Sequence, residues 1–193
     1  MKLKAIDLTL CAMFAALMAI GANVTSFLVV GGVPITLTTF FCILAGLILG
    51  SRLGALSMLV YALVGFVGAP VFAGFTGGPS IFIKPTFGFI LSYILVAYVV
   101  GKMVERNNSK TTIFVAAFVG FIINYVFGTN WMYAAYVLWA AAPEGFTYKM
   151  AWAWMVVPLP KDILLAAFAA VLAPRLTRTL SYTSSTMNKK TAA

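Results

Sequence analysis

Three sets of polar residues interrupt a chain that is otherwise strongly apolar, and each set has a chemistry. Lys161 and Asp162 stand side by side, directly after Pro160. A proline at the start of a helix and an acid in its first turn both suit a helix N-terminus, where free N–H groups and the helix dipole favour negative charge. The same carboxylate and ammonium, turned together into a pocket, make a site for a polar ligand. Lys84 is the one charge between Arg52 and Lys102. It lies in the stretch from Pro70 to Phe89, which is punctuated by Pro70, Pro79 and Pro85 and by Gly74, Gly77, Gly78 and Gly88. No regular helix tolerates that density of Gly and Pro. The stretch is nonetheless apolar, which does not suit a solvated linker. A lysine at a membrane interface can snorkel to water, but no acid accompanies Lys84, and an unpaired cation in apolar surroundings is costly. A ligand carboxylate relieves that cost, so the loop reads as the wall of a pocket for a small anionic ligand. The third set is Thr36, Thr38 and Thr39, hydroxyls in the first turn of an apolar segment. They can satisfy the free N–H groups there or face a ligand.

Several chemistries are left without the residues they need. The chain has no histidine, and no Gly-rich phosphate loop ending in Lys-Ser or Lys-Thr. Its four acids, Asp7, Glu105, Glu144 and Asp162, do not cluster in any metal-ligand spacing, and Cys11 and Cys42 sit alone inside apolar segments. Neither an enzyme nor a metal or cofactor site is expected. Of 193 residues, 63% are hydrophobic and 9% charged, against roughly 25% charged in a soluble domain. The chain therefore reads as an all-α integral membrane protein. Its net charge of +9 does not point to nucleic acid, because the cations lie at the ends of apolar runs, where they control membrane topology.

The elements that must position these residues follow from the apolar runs. The first runs from about Ala5 to Gly21 and is kept as a helix rather than read as a cleaved leader, because it extends past the length of a signal core. Ala12, Ala15, Ala16 and Ala19 fall at spacings of three and four, one stripe of small residues that lets another helix approach closely. That other helix belongs either to this chain or to a partner. After the break at Gly31-Gly32-Val33-Pro34, segments are expected at about 36–49, 55–68, 86–104, 111–128 (extending as far as 141) and 161–176. Asn124 and Tyr125 lie within the fifth, and Trp152 and Trp154 mark residues 148–157 as an interfacial piece. Residues 1–180 thus form one membrane domain of six transmembrane helices, and a polar tail from Ser181 to Ala193 is expected to be disordered. With the N-terminus on one side, ten Lys and Arg residues fall there and three, Lys84, Lys149 and Lys161, on the other. The excess places both termini in the cytoplasm and puts Lys84, Lys161 and Asp162 together at the external face.

An ordered set of short motifs then resembles a known family. Val33-Pro34-Ile35-Thr36-Leu37-Thr38-Thr39, Leu49-Gly50-Ser51-Arg52-Leu53-Gly54, Gly68-Ala69-Pro70-Val71-Phe72-Ala73, Gly77-Gly78, Pro85-Thr86-Phe87-Gly88-Phe89, Gly128-Thr129-Asn130-Trp131 and Pro160-Lys161-Asp162 are similar to BioY, the biotin-specific substrate-binding component of energy-coupling-factor transporters. The resemblance implies a six-helix bundle in the bacterial plasma membrane that captures biotin externally. Import would be driven by a separate transmembrane scaffold subunit and two ATP-binding-cassette ATPases. It implies binding roles for Thr36, Thr38, Thr39, Phe72, Phe75, Gly77, Gly78, Lys84, Pro85, Thr86, Trp131, Lys161 and Asp162, and a scaffold-docking role for Ala12, Ala15, Ala16 and Ala19. Thr38 stands where the family usually has Gln, and Leu165 where it usually has Lys. The alternatives are a component for another small vitamin or precursor, such as dethiobiotin, and a membrane scaffold protein with no ligand.

Overall fold

A computed structural model describes the backbone of residues 4–191 and the side chains of residues 4–179. The expectation of a disordered tail from Ser181 lies outside the described side chains. The order is α1 (Ala5–Asn23), a hairpin of β1 (Val29–Val30) and β2 (Val33–Pro34), α2 (Thr38–Phe66), a short 3-10 helix (Pro79–Ile83), α3 (Phe87–Arg106), α4 (Lys110–Leu138), α5 (Tyr148–Val156) and α6 (Leu159–Thr191).

The second and third sequence segments are one unit, α2, with a reversal inside it. Gly50 has φ 79° and ψ −177°, outside helical geometry, a backbone state that glycine adopts without steric cost. A Cβ added at Gly54 would lie 3.2 Å from the Gly46 Cα. In a straight helix those residues would be about 12 Å apart, so the chain folds back on itself. The turn is held from α3, where Glu105 Oε1 accepts hydrogen bonds from the Ser51 N–H at 2.7 Å and the Ser51 hydroxyl at 2.8 Å. An acid there satisfies the free donors of a helix start. Gly101 lets α3 cross directly over the turn, since a Cβ there would meet the Ser51 nitrogen at 2.2 Å.

Six crossings result: α1, the two limbs of α2, α3, α4, and α6. Among the described residues, α1, α3 and α4 are each long and apolar enough to span, α2 meets that length only over both limbs together, and α5 with α6 meets it as a pair bent by 56°. The first limb of α2, from Thr38 to Leu49, covers only about 18 Å of a hydrocarbon core about 30 Å thick. Its start, with free N–H groups and the Thr38 and Thr39 hydroxyls, therefore lies below the end of the bundle. The hairpin and the loop from Val67 to Thr86 close over it.

Each closing element is fixed by specific contacts. Gly31 and Gly32 both have positive φ, 56° and 79°, as a two-residue primed hairpin turn requires, and a Cβ on Gly31 would overlap the Trp154 ring of α5 at 2.0 Å. In the long loop, the Asn23 side chain at the end of α1 donates to the Val71 carbonyl at 3.3 Å and accepts from the Phe75 N–H at 2.6 Å. Phe66 and Phe82 stack at 4.5 Å, Phe82 meets Phe87 at 4.8 Å, and Phe87 meets Trp131 at 5.6 Å. The loop is thus packed down by aromatic rings, as its apolar composition predicts.

Candidate functional site

A cavity of about 190 Å³ opens where the hairpin, the long loop and the α5–α6 bend meet. Of the residues predicted from sequence, Thr36, Thr38, Thr39, Phe72, Lys84, Thr86, Lys161 and Asp162 line it. Five do not. Phe75 is 70% exposed on the loop. Trp131 belongs to the aromatic cluster beneath the loop, against Phe87 and Trp139. Gly77 is where the chain passes over the Ala69 carbonyl, 2.2 Å from any Cβ placed there, and Gly78 donates its N–H to the Gly65 carbonyl at 2.7 Å. Pro85 sits between the last turn of the 3-10 helix and α3. Apart from the exposed Phe75, these residues shape the wall from behind instead of facing the space.

At the centre is Asp162, 5% exposed. Its Oδ2 accepts a hydrogen bond from the Tyr125 hydroxyl of α4 at 2.7 Å. Its Oδ1 stands 2.7 Å from Lys161 Nζ as an ion pair, which compensates the buried charge. Lys161 donates to the Thr36 main-chain carbonyl, so one side chain ties the start of α6 to the segment between β2 and α2. Asp162 is therefore more than a helix-terminal acid. It is held from two sides, by Tyr125 and by Lys161, at the cavity wall.

Two polar chains flank it. Thr36, Thr38 and Tyr93 form a run of hydroxyls with both O···O distances 2.7 Å. Asn124 donates to Thr39 Oγ1 at 3.1 Å and accepts from the Ser92 hydroxyl at 2.7 Å. Lys84 lines the cavity, and among the described residues its ammonium has no hydrogen bond or ion pair. Lys161 and Asp162 neutralise each other, so the two lysines against one carboxylate leave the cavity with one positive charge in excess. The remaining walls are apolar or aromatic, including Phe72, Phe89, Ile90 and Met155. A mostly apolar pocket with a few converging polar groups is the usual form of a small-molecule site.

Tyr93, Tyr125, Tyr61 and Asn124 also line the cavity, and the sequence assigns none of them a binding role. Asn124 and Tyr125 stand out in it as polar groups within an apolar run, and Tyr61 as one of the residues shared with the family. On α1 the small-residue stripe divides. Ala15 is buried with Cys11, Phe14, Met18 and Ala22, whereas Ala12 and Ala16 are exposed and Ala19 is half-buried. Ala15 packs against its own chain, and Ala12 and Ala16 are the members of the stripe that face outward.

Comparison with known proteins agrees with this arrangement. Residues 1–182 match the model of the BioY family. A Bacillus subtilis protein designated BioYB is 46% identical over 190 residues, covering 93% of this chain and 91% of the relative. The biotin transporter BioY of Rhizobium etli is 33% identical over 168 residues, covering 86% and 90%. The fold matches a crystal structure of the S-component for biotin from an ECF-type ABC transporter, with TM-score 0.71 and 21% identity over 92% of this chain and 95% of that one. With the match spanning the transmembrane helices and every element around the cavity, the chain belongs to the BioY family.

Proposed function

We propose that this chain is the biotin-binding subunit of a vitamin uptake system in the plasma membrane. In this reading both termini are cytoplasmic, the cavity opens externally, and a separate transmembrane scaffold with two ATP-binding-cassette ATPases drives import. The observation that carries the reading is one cavity that holds a buried carboxylate, paired with Tyr125 and Lys161, and a Lys84 ammonium that has no hydrogen bond or ion pair among the described residues. Biotin has the complementary groups: ureido N–H donors, an apolar sulfur ring and a valerate carboxylate. Asp162 accepts the ureido N–H, Phe72 and the apolar wall pack the rings, and Lys84 meets the carboxylate.

Asp162→Asn tests the assignment. If the acid only stabilises a helix end, it contributes about 0.3–1 kcal/mol, and biotin affinity stays unchanged. A hydrogen bond to a charged acceptor contributes about 1.5–3 kcal/mol, so the expected loss of affinity is roughly tenfold to more than a hundredfold. Biotin titration of the detergent-purified protein, with thermal unfolding of the unliganded variant alongside, separates the two. Unchanged affinity removes Asp162 from the site. Lys161→Ala is expected to weaken binding as well, because it frees both Asp162 and the Thr36 strand.

A further inference from the structure

Among the described residues, Phe75 alone has a positive φ without being a glycine, at 55°. A bulky side chain rarely takes that state. Phe75 stands at the tip of a small hairpin in the long loop. Phe72 and Thr76 exchange main-chain hydrogen bonds at its base, at 3.0 and 3.1 Å, and Gly74 beside Phe75 also has positive φ, 73°. The hairpin forms part of the cavity wall, because Phe72, Ala73 and Thr76 line the space. Phe72 is fully buried and meets the Tyr61 and Phe66 rings. The Phe75 ring is exposed, so the tip is held through its main chain.

The group that holds it is Asn23, the last residue of α1, which does not itself line the cavity. Its amide nitrogen donates to the Ala19 carbonyl of its own helix at 2.9 Å and to the Val71 carbonyl at 3.3 Å, and its Oδ1 accepts the Phe75 N–H at 2.6 Å. The bond to Ala19 fixes the side chain, and the other two grip the loop on both sides of Phe72. An asparagine amide offers a donor and an acceptor together, which this grip requires. The same end of α1 holds a second part of the wall. The Gly21 carbonyl accepts the Leu37 N–H at 2.8 Å, and the Thr25 hydroxyl, just past the helix, donates to the Ile35 carbonyl at 2.7 Å. Between Ile35 and Leu37 lies Thr36, which lines the cavity. The end of α1 is therefore a post to which two covering segments are tied. Loops open locally more readily than packed helices, and the contacts that keep such a loop closed govern how quickly an enclosed ligand escapes.

We propose that Asn23 is a positioning residue for the cavity: it holds the loop of residues 71–76 closed over bound ligand and so sets how fast the ligand leaves. The proposal rests on the reading of the cavity as a biotin site, and it is tested with and without biotin so that the two can fail separately. In the purified full chain without ligand, hydrogen–deuterium exchange of residues 71–76 reads the grip directly. Loss of the Asn23 hydrogen bonds in Asn23→Ala is expected to speed that exchange by about threefold to tenfold, with exchange in α3 and α4 unaltered. Dissociation of labelled biotin, chased with unlabelled biotin, is expected to speed up by a similar factor, with no fall in the association rate. Asn23→Asp keeps the acceptor for the Phe75 N–H and is expected to restore most of both. Unchanged loop exchange in Asn23→Ala overturns the proposal, as does faster loop exchange with an unchanged dissociation rate. Faster exchange throughout the bundle also overturns it, since Asn23 would then be a general support of the fold. So does Asn23→Asp behaving as Asn23→Ala does. A wild-type chain that binds no biotin defeats the biotin reading, and faster loop exchange in Asn23→Ala then still supports Asn23 as the residue that positions this wall.

Discussion

At the scale of single residues, the cavity works by dividing its charges. Lys161 is committed twice, to Asp162 and to the Thr36 carbonyl, and cannot also serve as a free anion site. Lys84 has no such commitments and is the group left for a ligand carboxylate. It is only half-buried, so its contribution is that of a partly screened ion pair, about 0.2–1 kcal/mol. Lys84→Ala is accordingly expected to lower biotin affinity by up to about fivefold. The affinity for biotin amide, which lacks the negative charge, is expected to stay the same. Equal losses for the acid and the amide would show that Lys84 shapes the loop and does not meet the carboxylate. Asp162 and Lys84 were legible from sequence because a charge inside an apolar run stands out. Tyr93 and Tyr125 were not, since a tyrosine in such a run is ordinary. Whether its hydroxyl faces lipid or a carboxylate depends on how the helix is rotated against its neighbours.

At the scale of elements, helix phase was the least legible feature. Transmembrane helices are apolar on every face, so the usual periodic contrast between a core side and a water side is lost. The consequence is plain on α1, where alanines at helical spacing gave one stripe in sequence and two environments in the structure. Ala15 is buried, and Ala16, one residue on, is exposed. The two separate experimentally. Ala15→Leu adds volume to a filled interior and is expected to cost about 1–3 kcal/mol of stability, read as a lower unfolding temperature. Ala16→Leu is expected to leave stability and biotin binding intact but to abolish uptake when the scaffold and ATPase subunits are present, by blocking close helix approach. If uptake survives in Ala16→Leu, the partner docks elsewhere. The hairpin is less legible for a different reason: Gly31-Gly32 reads as a break between apolar runs, and only the valines on both sides of the pair carry the signal for a two-residue turn. By contrast, the apolar loop from Pro70 to Phe89 was legible as a pocket wall, because Gly and Pro exclude a helix and the phenylalanines exclude a solvated linker. The binding roles that the resemblance implies for Phe75 and Trp131 are not matched by a place in the cavity lining. Phe75 follows the side of the loop that packs down, which is set by Asn23 and by the Phe66–Phe82 stack, and Trp131 follows the rotation of α4, which turns its ring to Phe87 and Trp139.

At the scale of the molecule, one end carries the cavity and the other carries the turn at Gly50 and the Glu105 cap. The count of ten cations against three predicts the orientation of that axis. A cysteine at Asn108, between α3 and α4, is expected to react with an impermeant thiol reagent only from the cytoplasm, and one at Gly145 only from outside, in a background lacking Cys11 and Cys42. The reverse pattern would invert the bundle and place the cavity inside the cell. The short first limb of α2 explains why a site exists at all, since it leaves a polar helix start below the surface for other elements to cover. The most direct measurement of the central claim is equilibrium binding of labelled biotin to the purified wild-type chain, without any partner subunit. Saturable binding of one biotin per chain, displaced by dethiobiotin and not by riboflavin or thiamine, is the predicted result. Absence of saturable biotin binding by the folded protein, or displacement by the unrelated vitamins, would contradict it.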